Sequence, residues 1–111
     1  MFVFGSNDYY APRLKNPARY LLKGGGDKRI HGERLPTDDL SAAFASAGWV
    51  DLTHRRTTLE VAGVPVEFLG VDDAHLGLDR YHLVSGPPSP DAALSVGVTH
   101  APYRRVLDAM V

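Results

Sequence analysis

Two short segments near opposite ends of the 111-residue chain constrain its fold more than any other feature. They are residues 3–9, with the sequence VFGSNDY, and residues 97–102, with the sequence GVTHAP. In each segment an apolar run typical of a buried strand gives way to a polar turn. Ligands of open α/β sheets bind outside the carboxyl ends of strands, so we expect the two segments to face one site.

The composition predicts one soluble globular domain, because 44% of the residues are hydrophobic and 23% are charged. A net charge of -1 gives no overall basic field, so nucleic acid is not an expected partner. The absence of cysteine excludes a thiolate nucleophile and any cysteine-based metal site, and it is compatible with the cytoplasm. We find neither an apolar run of about 20 residues nor a signal peptide.

Hydrophobic periodicity and turn residues predict the order of elements along the chain. The prediction comprises a buried strand at 2–5, a long basic loop at 9–36 with at most one helical turn at 18–22, a helix at 37–48, a strand at 49–53, a hairpin at 57–71 with its turn at 63–64, a buried strand at 94–98 and a helix at 103–110. Thr37 is the expected N-cap of the longer helix, and Gly48 its C′ residue.

The strand-end motifs resemble those of the calcineurin-like metallophosphoesterases, in particular a bacterial branch. Residues 5–8 (GSND) are similar to the family's Gly-Asn-His-Asp/Glu motif, and residues 98–102 (VTHAP) to its later His-x-Pro motif. Further similarity runs through residues 70–81 and 103–108, so the resemblance covers nearly the whole chain. It implies an α/β fold in which this chain forms part of the mixed-sheet layers of a four-layer α/β/β/α domain.

The resemblance also implies a centre of two divalent metal ions, of the Mn, Fe or Zn type, that delivers a metal-bound hydroxide to a phosphomonoester or a phosphodiester. His100 would be a metal ligand. Asn7 and Asp8 fall in the catalytic motif, where Ser6 stands at the position of the family's Asn and Asn7 at that of its His. Either Asn7 binds the metal through its amide oxygen, which we prefer, or Ser6 binds it and Asn7 contacts the substrate. An Asn at this position cannot donate a proton near neutral pH.

Other motifs of the family are missing from these residues. The family has Asp-x-His and Gly-Asp-x-x-Asp motifs before the first segment and a Gly-His-x-His motif after the second, and this sequence has none of them at those places. We therefore expect a single incomplete domain, a fragment that is inactive in isolation and binds metal weakly. A membrane anchor in the parent protein would lie outside it.

Several other residues have more than one interpretation. Residues 72–75 (DDAH) are either a solvated turn or a loop at the rim of the substrate site. His31, His54 and His82 are expected at the surface, and the glycine run at 24–26 lacks the Lys-Ser/Thr of a phosphate-binding loop. Two alternatives to the enzyme remain: a phosphate- or nucleic-acid-binding module that uses the basic residues at 13–34, and a truncated gene product without independent function.

Overall fold

The computed structural model describes residues 1–14 and 31–111. Most of the loop predicted at 9–36, including the helical turn at 18–22 and the glycine run at 24–26, lies outside the described residues. Within them the chain forms short helices and a three-stranded mixed sheet, in agreement with the α/β class. No helix among the described residues has the length and apolar character needed to cross a bilayer.

The sheet has the order β1-β2-β3, with β2 in the centre. Strands β1 and β2 are antiparallel, whereas β2 and β3 are parallel and are joined by a crossover through residues 71–93. The elements in chain order are helix α1 (Ser6–Tyr9), helix α2 (Thr37–Ser46), β1 (Arg55–Val61), β2 (Val64–Gly70), a 3-10 turn (Tyr81–Leu83), β3 (Leu94–Val98) and helix α3 (Arg104–Leu107).

The turn of the β1–β2 hairpin lies one residue earlier than predicted. Val61 pairs with Val64, so the two turn residues are Ala62 and Gly63 rather than Gly63 and Val64. Their φ angles are 52° and 81°, and two successive positive φ values are the geometry of a type I′ turn. Such a turn matches the right-handed twist of the strands. The predicted turn would have shifted the pairing by two residues and set Thr57 opposite Gly70 instead of Phe68.

The predicted N-cap of α2 is wrong, and its predicted C′ residue is correct. Pro36 is the N-cap residue, while the Thr37 hydroxyl donates to the carbonyl oxygen of Asp8 over 3.0 Å and thereby ties α2 to the end of the first segment. At the other end Gly48 has a φ of 81°. The Trp49 N–H donates to the carbonyl oxygen of Phe44, which completes a Schellman motif.

The strands predicted at 2–5 and 49–53 are reduced to one parallel bridge between Phe2 and Asp51. After Phe2 the chain enters α1 within four residues. The Asp51 carboxylate accepts a hydrogen bond from the Thr53 N–H at 2.8 Å, which turns the chain away after Asp51. The strand at 94–98 is present as β3, but it is half-buried or exposed rather than buried on both faces.

The helix predicted at 103–110 is a single turn. Beyond α3 the N–H groups of Ala109 and Met110 donate to carbonyls three residues earlier, so the chain tightens and leaves the α-helical pattern.

The hydrophobic core lies at the end of β2 and under the two loops that follow β2 and β3. Its buried members are Leu69, Val71, Ala74, Val84, Ala101 and Val106, with Tyr81, Tyr103 and Met110 packed against it. The core residue Ala74 directly precedes His75, and the core residue Ala101 directly follows His100. The core therefore fixes the backbone from which these histidines project.

Glu67 in the centre of β2 connects all three strands. Its carboxylate accepts hydrogen bonds from Arg56 on β1 at 3.0 Å, from the hydroxyl of Ser95 on β3, and from the Ser89 N–H at 3.2 Å. The hydroxyl of Ser95, followed by Arg56, lowers the pKa of Glu67 below its usual value. The carboxylate is accordingly most stabilising when it is ionised.

Candidate functional site

The two end segments meet at Gly5 and His100. A Cβ atom at Gly5 would lie 2.4 Å from both Nδ1 and Cε1 of the His100 ring, closer than non-bonded atoms can approach. The absence of a side chain at Gly5 thus allows the imidazole to pack against the backbone. Residues 3–9 and 97–102 are therefore in contact, and that they face one functional site stays a prediction.

Helix α1 holds Ser6 and Asn7 beside this contact. The Asp8 carboxylate accepts a hydrogen bond from the Gly5 N–H at 2.8 Å, and the Asp8 N–H donates to the Gly5 carbonyl oxygen at 2.9 Å. These reciprocal bonds form the start of a short helix. These bonds let Asp8 fix the backbone turn that carries Asn7. The catalytic role of Asp8 stays a prediction.

Asn7 and His100, the predicted metal ligands, are both exposed. Their amide oxygen and imidazole nitrogen are donor types that suit Mn, Fe or Zn. However, the described ranges bring together no group of three or more His, Asp or Glu side chains that could hold a metal ion. Asn7 and His100 could therefore provide only part of a coordination shell.

Tyr9 connects α1 to the loop at 72–75. Its hydroxyl donates to the Asp72 carboxylate, with distances of 2.7 and 2.8 Å to the two oxygens. Burial of the phenol, and next the hydrogen bond to Asp72, raise the pKa of Tyr9 well above its usual value. The bond therefore persists through the physiological pH range.

The loop at 72–75 is an ordered corner, and its two carboxylates are buried rather than solvated. Asp72 and Asp73 are both buried, and Asp73 is completely inaccessible. Asp72 accepts from the Asp73 N–H at 2.7 Å, and Asp73 accepts from the His75 N–H at 2.6 Å. These bonds fix the backbone of the corner and leave the His75 ring exposed above it.

His75 is held by a chain of side chains that the sequence did not reveal. Its Nδ1 lies 3.0 Å from the Tyr103 hydroxyl, and the Arg105 guanidinium covers the Tyr103 ring at 4.5 Å from its centre. Arg105 in turn forms a two-pronged ion pair with buried Asp79 at 2.8 and 2.9 Å. The centres of the His75 and His100 rings are 6.1 Å apart, so this chain places a second imidazole at the site.

A cleft of about 510 Å³ opens beside these residues, and we call it the donor cleft. Its polar lining side chains are Ser6, Asn7, Tyr10, Arg13, His31 and His75. Every one of them can donate a hydrogen bond, and no Asp or Glu is among the described residues of the lining. The predicted surface position of His31 is correct, and its ring stacks on Tyr10 with a centre distance of 4.5 Å.

Comparison with known proteins gives no relative from which a function could be transferred. No protein-family model, no curated protein and no solved structure matches the chain. Any functional conclusion therefore depends on the residues and their geometry.

Replacing Tyr9 by Phe is expected to lower the free energy of unfolding by about 1–2 kcal/mol, because the buried Asp72 carboxylate loses a hydrogen-bond donor. Urea denaturation at neutral pH measures the change. The control is Tyr81→Phe, since the Tyr81 hydroxyl bonds to no described residue, and its effect should be below about 0.5 kcal/mol. Equal losses in the two variants would contradict a specific contribution from the Tyr9–Asp72 bond.

Proposed function

We propose that the chain carries part of the active site of a metal-dependent phosphoesterase, with His100 and Asn7 as ligands on one side of a metal ion. The contact of the His100 ring with Gly5 carries the proposal, because it brings the motifs at residues 5–8 and 98–102 to one place. The donor cleft adds support, since a phosphate ester next to a metal needs hydrogen-bond donors around its oxygens.

The described residues would have distinct tasks in such a site. His100 would bind the metal through one imidazole nitrogen, and Gly5 sets the position of its ring. Asn7 would offer its amide oxygen from the turn that Asp8 stabilises. A divalent ion in this position would stabilise charge on a phosphoryl oxygen as a Lewis acid. His75 stands close enough to hydrogen-bond a ligand at the same location.

Metal binding tests this proposal without requiring turnover. We expect the 111-residue chain to bind Mn²⁺ weakly, because the described residues supply fewer ligands than a complete site. Titration followed by electron paramagnetic resonance, in which free Mn²⁺ gives the signal, should show affinity about tenfold lower in His100→Ala, the size of effect seen on perturbing metal sites.

The matched control is His82→Ala, which removes an exposed imidazole from the 3-10 turn. It should bind Mn²⁺ as the unmodified chain does. An affinity that is the same in the unmodified chain, His100→Ala and His82→Ala would contradict the proposed role of His100.

The alternative of a binding module that uses residues 13–34 depends mostly on residues 15–30, which are not described. It stays a prediction from the sequence. Of its basic residues, Arg13 and Arg34 are described, and Arg13 lines the donor cleft.

A further inference from the structure

The side chains that line the donor cleft favour a particular kind of anion. Its polar lining combines one guanidinium, two imidazoles, two hydroxyls and one amide, which together can surround an oxyanion with donors. Arg13 supplies the permanent positive charge and a planar fork that matches two phosphoryl oxygens.

Two acidic residues close in sequence to the lining, Asp8 and Asp72, have hydrogen-bond partners outside it. The exposed Glu33 beside Gly32 is not part of the lining. Asp8 accepts the Gly5 N–H, and Asp72 accepts both the Tyr9 hydroxyl and the Asp73 N–H. Neither Asp8 nor Asp72 belongs to the lining of the cleft. An anion in the cleft would therefore meet donors, and no carboxylate belongs to the part of the wall that residues 1–14 and 31–111 form.

A second cleft of about 350 Å³ continues from the first and shares its Tyr10, His31 and His75. Leu76 is also common to both clefts, and the second cleft adds the cation Arg34, the aromatic ring of Tyr9 and the apolar side chain of Leu78. This arrangement offers a place for the organic part of an ester while its phosphoryl group occupies the donor cleft. Arg34 again increases the positive potential, and no Asp or Glu is among the described residues of this lining.

We propose that the donor cleft binds the dianionic phosphoryl group of a phosphomonoester and discriminates against phosphodiesters. The inference deepens the proposed function by narrowing its substrate class. A monoester above its second pKa of about 6 carries two negative charges and three free oxygens, whereas a diester carries one charge and two free oxygens. The Coulombic attraction to Arg13 and Arg34 is thus about doubled for the monoester, and one more oxygen is available to the donors.

A pair of ligands with the same aromatic ring tests this preference. Phenyl phosphate is the monoester and methyl phenyl phosphate the diester, and both are titrated calorimetrically at pH 8 with EDTA present to remove metal. We expect phenyl phosphate to bind at least about tenfold more tightly. Arg13→Gln should weaken its binding about tenfold, whereas Arg55→Gln, which changes an exposed arginine outside both linings, should have no effect.

Asn7→Asp separates this inference from the proposed function. In EDTA the new carboxylate should repel phenyl phosphate and weaken its binding about tenfold, while without EDTA it should strengthen Mn²⁺ binding as a better ligand. Equal affinity for the two esters, no binding of either at ligand concentrations up to about 10 mM, or no effect of Arg13→Gln would overturn the cleft assignment. The Mn²⁺ titration of His100→Ala would still decide the proposed metal site in each of these cases.

Discussion

Replacing Gly5 by alanine is expected to have the largest effect on the candidate site. The added methyl group would lie 2.4 Å from the His100 ring, so either the ring or the first segment must move. We expect a loss of about 1–3 kcal/mol in the free energy of unfolding, which is typical of an overpacked contact, and Mn²⁺ binding as weak as in His100→Ala. Urea denaturation and the Mn²⁺ titration measure the two effects.

Gly97→Ala provides the matched control. A Cβ atom at Gly97 would approach Met110, with its sulfur at 2.8 Å, but a flexible thioether can move away. We expect this variant to retain Mn²⁺ binding and to lose less stability than Gly5→Ala. If Gly5→Ala bound Mn²⁺ normally, the packing of His100 against Gly5 would have no importance for the metal site.

Replacing Glu67 by alanine is expected to destabilise the sheet by about 3 kcal/mol at neutral pH. The variant leaves the half-buried Arg56 without its ion-pair partner and removes the acceptor of Ser95 and of the Ser89 N–H. Glu60→Ala, an exposed change on β1, should stay within about 0.5 kcal/mol of the unmodified chain. Denaturant unfolding at pH 7 measures both variants.

The loss of stability caused by Glu67→Ala is expected to depend on pH. The folded-state pKa of Glu67 is lowered from the usual 4.5, so its contribution is fully present above pH 4.5 and is lost as the pH falls through the folded-state value. The difference between Glu67→Ala and the unmodified chain should therefore shrink on acidification below pH 4.5. A difference that stays constant from pH 7 to pH 3 would argue against an ionised Glu67 as the link between the strands.

The sequence predicted the elements that depend on local patterns. Alternation of β-branched residues identified the hairpin, and Gly48 marked the end of α2 because few other residues adopt a positive φ at a C′ position. The turn was misplaced by one residue because Ala62 also has a positive φ, which its side chain does not favour. Local propensity could not indicate that the hairpin would impose this conformation.

The site was predictable in part for a similar reason. Apolar runs followed by Asn7 and His100 indicated that two segments would meet, and Gly5 and His100 do. The positions of His75, Tyr103 and Arg105 depend on contacts between residues about 30 positions apart, which no local pattern specifies. The buried state of Asp72 and Asp73 was missed because an Asp-Asp pair is typical of a solvated turn until its partners are known.

The mixed topology of the sheet affects when the candidate site forms during folding. Strands β1 and β2 are joined by a two-residue turn, so their pairing is local and closes quickly, whereas the parallel β3 requires closure of the loop at 71–93. His75 belongs to that loop, and His100 follows β3. The two imidazoles become neighbours only once β3 has joined the sheet. Local opening of the β2–β3 ladder would thus separate them even while the hairpin stays intact, so the stability of this one ladder governs how often the site is assembled.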